Sequence, residues 1–353
     1  MNTTNSTHTV VDAKLLSTLE PVKLFNYHQE TSITSLDFDD AGQYLISSGI
    51  DKSIQLYDCH RGKYIKDIQS QKYGAHSARF THEEMNCLYV STPEKSDNSE
   101  DAIRYLSLNT NTYIRYFKGH KSQVSCIEVN PVDNTFISSS FDGTVKVWDI
   151  KSSAPVGNID VGMNSVVGYD PQGIVFAIGK YNGGDVGVLK LYDLRTFDKS
   201  AFLRVEIPIL PGQVWNKIEF SNNGKLILIA TDSPEHYVLD AFSGKLLAIV
   251  RLAVVTGTEK FKWLDFKYPY TGCCTFSPCG KYLFVGTPKS TINIYDVSNL
   301  QPNVHNNRPV ILSRTENILQ STTGIPKVVL FNPRLVELAS ADTAVTLWSL
   351  TDT

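Results

Sequence analysis

Few residues in this chain are grouped closely enough to do chemistry. Cys273, Cys274 and Cys279 fall within one short stretch, a density at which thiols can share a metal ion. No histidine is close to them in the sequence, no CxxC is present, and Cys273 and Cys274 open an apolar strand pattern with Cys279 in its turn. They read as small buried hydrophobes, so neither a metal nor a cofactor is expected. A second group is His120, Ser140, Asp142 and Trp148, where an imidazole near a carboxylate could serve as a general base. No GxSxG, HExxH, GxxxxGK[ST] or GxGxxG accompanies it, so a structural hydrogen-bonding role is expected instead. A third is the aromatic and basic run from Lys260 to Tyr270, which includes Lys262 and Trp263. Such a run can stack bases and meet phosphates, can anchor a partner peptide, or can pack its rings on the body of the protein. Arg104, Arg115 and Lys118 are candidates for a phosphate or an acidic segment, because guanidinium forks pair oxyanions well.

These residues sit in a chain whose composition narrows the choices. The 353 residues carry a net charge of -3, with 33 Lys and Arg against 36 Asp and Glu. A protein that coats nucleic acid should carry a basic excess, so no direct sequence-specific nucleic-acid binding is expected. No apolar stretch reaches the roughly 18 residues of a spanning helix, so no membrane association is expected either. The polar start, Met1 to Ser6, does not resemble a signal peptide, and six scattered cysteines suit a reducing intracellular compartment. With 17 Tyr and 16 Phe but only 3 Met, the chain favours strands over helices.

The elements that position these residues repeat along the chain. Three stretches have the same form: 33–58, 124–149 and 273–296 each read as three short strands separated by Gly, Asp, Asn and Pro turns. Weaker copies occupy 78–106, 165–193, 215–240 and 326–349. The dipeptides that close the copies begin at 57, 105, 148, 192, 239, 295 and 348, at intervals of 48, 43, 44, 47, 56 and 53 residues. A period near 40–45 with loop insertions is the signature of WD40 propeller blades. Seven copies make an all-β, seven-bladed propeller, in which each small sheet buries its two faces against its neighbours.

In that family a His, a Ser or Thr, an Asp and a Trp are linked by hydrogen bonds. The resemblance therefore assigns His120, Ser140, Asp142 and Trp148 to such a chain in the third copy, with a poorer version at His28, Ser48, Asp51 and Tyr57. Only five residues follow Trp348, too few for a fourth strand. Pro21–Phe25 is therefore expected to supply the outer strand of the last blade and close the ring. Residues 1–16 are expected to be a disordered tail and 17–353 the propeller. Insertions fall at 254–272 and 298–324, and a polar one at Pro93–Asp101 is expected to be mobile.

More specific phrases are Ser53 to Cys59, Lys72-Tyr73-Gly74, Arg79 to His82, Ile103 to Leu108, Tyr113 to Phe117, Leu191 to Arg195 and Ser221 to Ile229. Through them, and over nearly the whole chain, the sequence resembles the WD40 subunit shared by two nuclear assemblies. One is the histone H3 lysine-4 methyltransferase complex, COMPASS. The other is the fungal cleavage and polyadenylation factor. The resemblance implies a non-catalytic nuclear scaffold that binds the N-terminal region of a SET-domain methyltransferase subunit. It also implies binding to a regulatory subunit of the phosphatase module in transcription termination and mRNA 3′-end processing, and contact with the phosphorylated C-terminal repeats of RNA polymerase II. A WD40 substrate receptor of a ubiquitin ligase is the alternative. In either case partners are expected on the face lined by the turns between second and third strands, which carry Ile50, Lys52, Phe141, Tyr181, His236 and Lys289.

Overall fold

The computed structural model describes residues 10–91, 101–181, 184–253, 270–301 and 308–350. Among the described residues the strands form seven separate sheets, and helix is confined to the single turn Ala13–Leu16. Each sheet is one blade. Blade 1 spans 33–69, blade 2 spans 76–117, blade 3 spans 124–160 and blade 4 spans 165–208; blade 5 begins at 215, blade 6 at 274 and blade 7 at 328.

Burial within a blade follows its residue pattern. Ser53–Asp58, Leu226–Thr231 and Tyr282–Thr287 are buried at every position, whereas the outer strands Lys63–Gln69 and Pro155–Asp160 alternate between exposed and covered positions. Unbroken apolar or small runs suit strands covered on both faces, and alternation suits strands with one wet face. The apolar clusters straddle the junctions between blades: Ile46, Ile54 and Leu56 of blade 1 pack with Ala78, Phe80, Cys87 and Tyr89 of blade 2. No blade has a core of its own, and stacking creates it.

The ring closes as the sequence suggested. Leu19–Phe25 pairs antiparallel with Val345–Leu350 and completes blade 7 as its outer strand. Pro21 lacks an N–H to donate, and the ladder shifts register between Pro21 and Lys23.

Three expectations about the periphery change. The boundary at residue 16 is too late, because Asp12 caps a helical turn at Ala13–Leu16, with the Leu15 amide donating to its carboxylate at 2.8 Å. That turn buries Leu16 against Leu19, Tyr282, Phe284 and Trp348 at the junction of blades 6 and 7. The insertion at 298–324 contains two strands. Val310–Leu312 runs parallel to Leu246–Arg251 as a fifth strand on blade 5, and Asn317–Gln320 is the outer strand of blade 6. The end of the 254–272 insertion reaches across the ring. Tyr270 is buried with Phe25, Ile33 and Val328, its hydroxyl 3.0 Å from Ser32 Oγ, and the Thr271 amide donates to the Thr34 carbonyl. Most of that insertion, like the polar segment from Pro93, lies outside the described residues.

On the rim formed by turns between first and second strands, side chains tie each blade to the next. Asn332 donates to the Gly42 carbonyl (2.8 Å) and Asn130 to the Gly173 carbonyl (3.0 Å). His82 bridges Asp40 and the Asn130 carbonyl. Gly173 has a φ of +66°, and a Cβ there would overlap the Asn130 amide. Gly173→Ala is therefore expected to destabilise by about 1–3 kcal/mol through backbone strain and overpacking. Thermal melting of Gly173→Ala checks this, and a melting temperature equal to that of the unmodified chain would contradict it.

Candidate partner-binding face

The face opposite that rim is built from the turns between second and third strands and the segments that enter each blade. In blade 3 these are held by one polar chain. Trp148 Nε1 donates to Ser138 Oγ at 2.8 Å, Ser138 Oγ lies 2.7 Å from His120 Nε2, and His120 Nδ1 lies 2.9 Å from Asp142 Oδ2. An indole nitrogen can only donate, so Ser138 accepts from it and turns its own proton toward His120. His120 then carries its proton on Nδ1 and donates it to Asp142. Burial holds the His120 pKa below its ordinary value despite Asp142, which keeps the ring neutral.

Burial also opposes ionisation of Asp142, but the Lys121 amide, the Thr144 hydroxyl and His120 together hold its pKa down to about 2. The stability that this lowered pKa contributes is present above the unfolded value near 3.8 and is lost as the pH falls toward 2. Acid melting of Asp142→Asn should therefore show a flatter decline across pH 4 to 2 than the unmodified chain. Parallel curves would contradict this account of Asp142.

The serine in the chain is Ser138, not Ser140. Ser138 pairs with Lys146, which places it on the same face as Trp148 and one step away diagonally. Ser140 lies two residues nearer the turn, accepts from the Asp142 amide and donates to the Ser122 carbonyl. In blade 1 the shift is one residue: His28 bridges Asp51 and Ser47, and Ser47 meets the Tyr57 hydroxyl, while Ser48 bonds Ser35 instead. Two further versions lacked a recognisable pattern. In blade 5 Gln213 stands where a histidine would, joining Thr231 (3.1 Å) to the Tyr237 hydroxyl (3.0 Å). In blade 7 Trp348 donates to Ser340 at 2.9 Å.

The partner candidates fall in different places. Lys52, Phe141 and Tyr181 lie in or beside the turns of this face and are half-buried. The Tyr181 ring sits 6.2 Å from Trp215, and burial pushes its phenol pKa up. Lys289 is exposed in the corresponding turn of blade 6. His236 is not on the surface: it is 0% exposed. Arg104 is likewise interior at 1% exposure, and cannot fork an external oxyanion. Its guanidinium donates to Ser91 (2.6 Å) and the Ala102 carbonyl (3.1 Å) and lies over the Tyr73 ring at 3.8 Å. Arg115 turns to the Ile150 carbonyl of blade 3, and Lys118 is exposed just past the outer strand of blade 2. The three cations therefore do not converge. Lys262 and Trp263 lie outside the described residues.

The sequence reading also missed the charged central channel, a cavity of about 240 Å³ bounded by the inner strands. Arg79 of blade 2 pairs with Glu128 of blade 3 at 2.9 Å and donates to the Leu36 carbonyl of blade 1. The Phe80 amide donates to Asp37, and the Phe276 amide to Glu219, whose other oxygen meets Lys217. Burial raises the Asp37 pKa to about 7. A signal existed: Asp37, Arg79, Glu128 and Glu219 all occupy the position before the last residue of an inner strand.

Comparison with known proteins agrees with this architecture. The model of the WD domain, G-beta repeat, matches residues 19–58 and 111–149. Both matches begin at the start of the outer strand of one blade, or one residue before it, and end in the third strand of the next, which is the offset that closes the ring. Set1 complex component swd2 of Schizosaccharomyces pombe is 35% identical, covering 95% of this chain and 98% of the relative. COMPASS component SWD2 of Saccharomyces cerevisiae is 36% identical over 89% of both chains. WD repeat-containing protein 82 of Drosophila melanogaster is 32% identical over 92% of both. On full-length likeness and a seven-bladed ring closed by its own N-terminal strand, the chain belongs to the Swd2 family of WD-repeat proteins.

Proposed function

We propose that this protein is a non-catalytic scaffold subunit of a nuclear histone H3 lysine-4 methyltransferase complex of the COMPASS type. The observation that carries the reading is likeness over nearly the whole chain to two components of such complexes, at 35% and 36% identity. The geometry supports it. The one imidazole–carboxylate pair suggested as a general base is consumed in a buried chain that fixes a turn. The surface left for work is a rim of turns carrying Lys52, Phe141, Tyr181 and Lys289, a form suited to an extended segment of a partner protein. That partner is the N-terminal region of the SET-domain subunit. A second role, binding a regulatory subunit of the cleavage and polyadenylation factor, uses the same scaffold. Contact with phosphorylated RNA polymerase II repeats belongs to that second role and runs through these partners, because the arginines do not form a cluster.

Affinity purification of the tagged chain from nuclear extract, followed by mass spectrometry, tests the reading. SET-domain and cleavage-factor subunits are the expected companions. Recovery of cullins and ligase adaptors in their place would favour the substrate-receptor alternative and overturn the proposal.

A further inference from the structure

One of the side chains that tie blade to blade is a histidine with both ring nitrogens engaged. His82 lies in the turn between the first and second strands of blade 2, His76–Phe80 and Asn86–Val90. Its Nδ1 is 2.6 Å from Asp40 Oδ2 of blade 1, and its Nε2 is 2.7 Å from the Asn130 carbonyl oxygen of blade 3. A carbonyl oxygen and an ionised carboxylate can only accept. Both ring nitrogens must therefore donate, and only the imidazolium does so. A neutral ring would set a lone pair against one of the two oxygens. Both distances are short, as in charge-assisted hydrogen bonds. A carboxylic acid ordinarily gives up its proton at a lower pH than an imidazolium, so the proton between His82 and Asp40 stays on the ring.

The surroundings favour that charge. Burial alone would lower the His82 pKa, but the bonds to Asp40 and the Asn130 carbonyl, with the negative charges of Asp40 and Asp133, raise it above its ordinary value. Asp40 approaches from blade 1 and Asp133 from blade 3. Glu83 and Glu84 flank the ring in its own turn, where the Tyr105 hydroxyl holds Glu83 at 2.8 Å. From blade 7, Arg334 reaches only the Asp40 carbonyl, through Nε at 3.0 Å. The histidine also stands in the middle of a longer polar strap. Asn332 and Arg334 join blade 7 to the Asp40–Gly42 turn of blade 1, and the Asn130 side chain joins blade 3 to the Gly173 carbonyl of blade 4.

We propose that His82 is a protonation-controlled latch: as an imidazolium it holds the turns of blades 1, 2 and 3 together, and on giving a proton to solvent it lets go of blade 3. The neutral ring keeps the stronger acceptor, the Asp40 carboxylate, by holding its remaining proton on Nδ1. The Nε2 lone pair then faces the Asn130 carbonyl, and the two repel. Pro131, the next residue, lines the central cavity, so the released turn is one that frames it. Because the pKa of His82 is raised in the folded chain, the stabilisation is fully present below the unfolded value near 6.5 and is lost as the pH rises through the higher folded value. The buried histidines His76, His120 and His236 do not share this response, because burial lowers their pKa values.

The test uses the full chain with nitrogen-15 in its histidines. At about pH 6.5, where a free histidine is half neutral, the His82 signal is expected to show protons on both nitrogens. Loss of that signal in His82→Gln assigns it. Asp40→Asn, at a side chain 67% exposed, should move the His82 titration to lower pH. Thermal and denaturant unfolding of the unmodified chain and of His82→Gln give the second readout. The advantage of the unmodified chain should be largest at about pH 6 and shrink as the pH rises. Its folding equilibrium constant should lose about tenfold, relative to the variant, for each unit by which the folded pKa exceeds the unfolded one. If His82→Gln fails to fold, the titration of the unmodified chain, assigned by its shift in Asp40→Asn, decides. A neutral His82 at about pH 6.5, a titration unmoved by Asp40→Asn, or an advantage that does not change with pH would each overturn the proposal.

Discussion

Removing residues 1–25 is expected to abolish a stable ring. The deletion takes away the outer strand of blade 7, whose register runs from Leu19 opposite Leu350 to Phe25 opposite Val345. Leu19 and Phe25 are both buried, and Phe25 packs on Tyr57 of blade 1 with ring centroids 4.6 Å apart. Each such side chain contributes about 1.5–3 kcal/mol by burial, and each lost ladder bond about 1 kcal/mol more. The total is comparable with the roughly 5–15 kcal/mol that holds a whole domain folded. The third strand of blade 7 would also become an open edge.

A deletion of residues 1–16 gives a graded comparison. It removes Leu16, which is 0% exposed, and should cost about 2–5 kcal/mol, as Leu16→Ala should. Thermal unfolding should therefore rank the full chain above the 1–16 deletion, and that above the 1–25 deletion. Equal melting temperatures for the two deletions would contradict closure by the strand.

The second large effect is expected at Trp148. The indole is 0% exposed, stacks on Phe136 at 5.8 Å and meets Phe117 edge-on at 5.8 Å. Trp148→Ala should cost about 3–5 kcal/mol through the cavity alone. It also strands Ser138 and loosens the turn that carries Phe141. Trp148→Phe keeps most of the packing and removes the N–H, so it should cost about 1–3 kcal/mol. Denaturant unfolding of the two variants separates packing from the polar chain. If Trp148→Phe matched the unmodified chain, the hydrogen-bond chain would have no energetic role.

How far the sequence carried depended on the physical signal available. Blade count and closure were legible, because each blade repeats an apolar run and a turn, and most carry an aromatic in the second half of the third strand. The serine of the blade 3 chain was not, because Ser138, Ser139 and Ser140 are chemically identical and only strand register distinguishes them. The burial of Arg104 was hidden for a related reason: an arginine in a strand reads as a surface cation until Tyr73 and Ser91 cover it. Val310–Leu312 was read only as part of an insertion because its partner strand lies in blade 5, while the sequence around it belongs to blade 6. Cys273 and Cys274 lie buried in an apolar cluster as expected, but their contact with His236 crosses from blade 6 to blade 5 and no spacing in the sequence shows it. Contacts within a repeat were readable, and those made across blade junctions required the fold.

The proposed role, binding of the methyltransferase without catalysis by this chain, can be tested directly. The most direct measurement is titration of the purified full chain with the N-terminal region of the SET-domain subunit, followed by calorimetry, together with a methyl-transfer assay on histone H3 for each protein alone. The account expects a one-to-one complex, weakened by Phe141→Ala without loss of folding, and no methyl transfer by this chain alone. Absence of binding at micromolar concentration, or methyl transfer by the isolated chain, would contradict it.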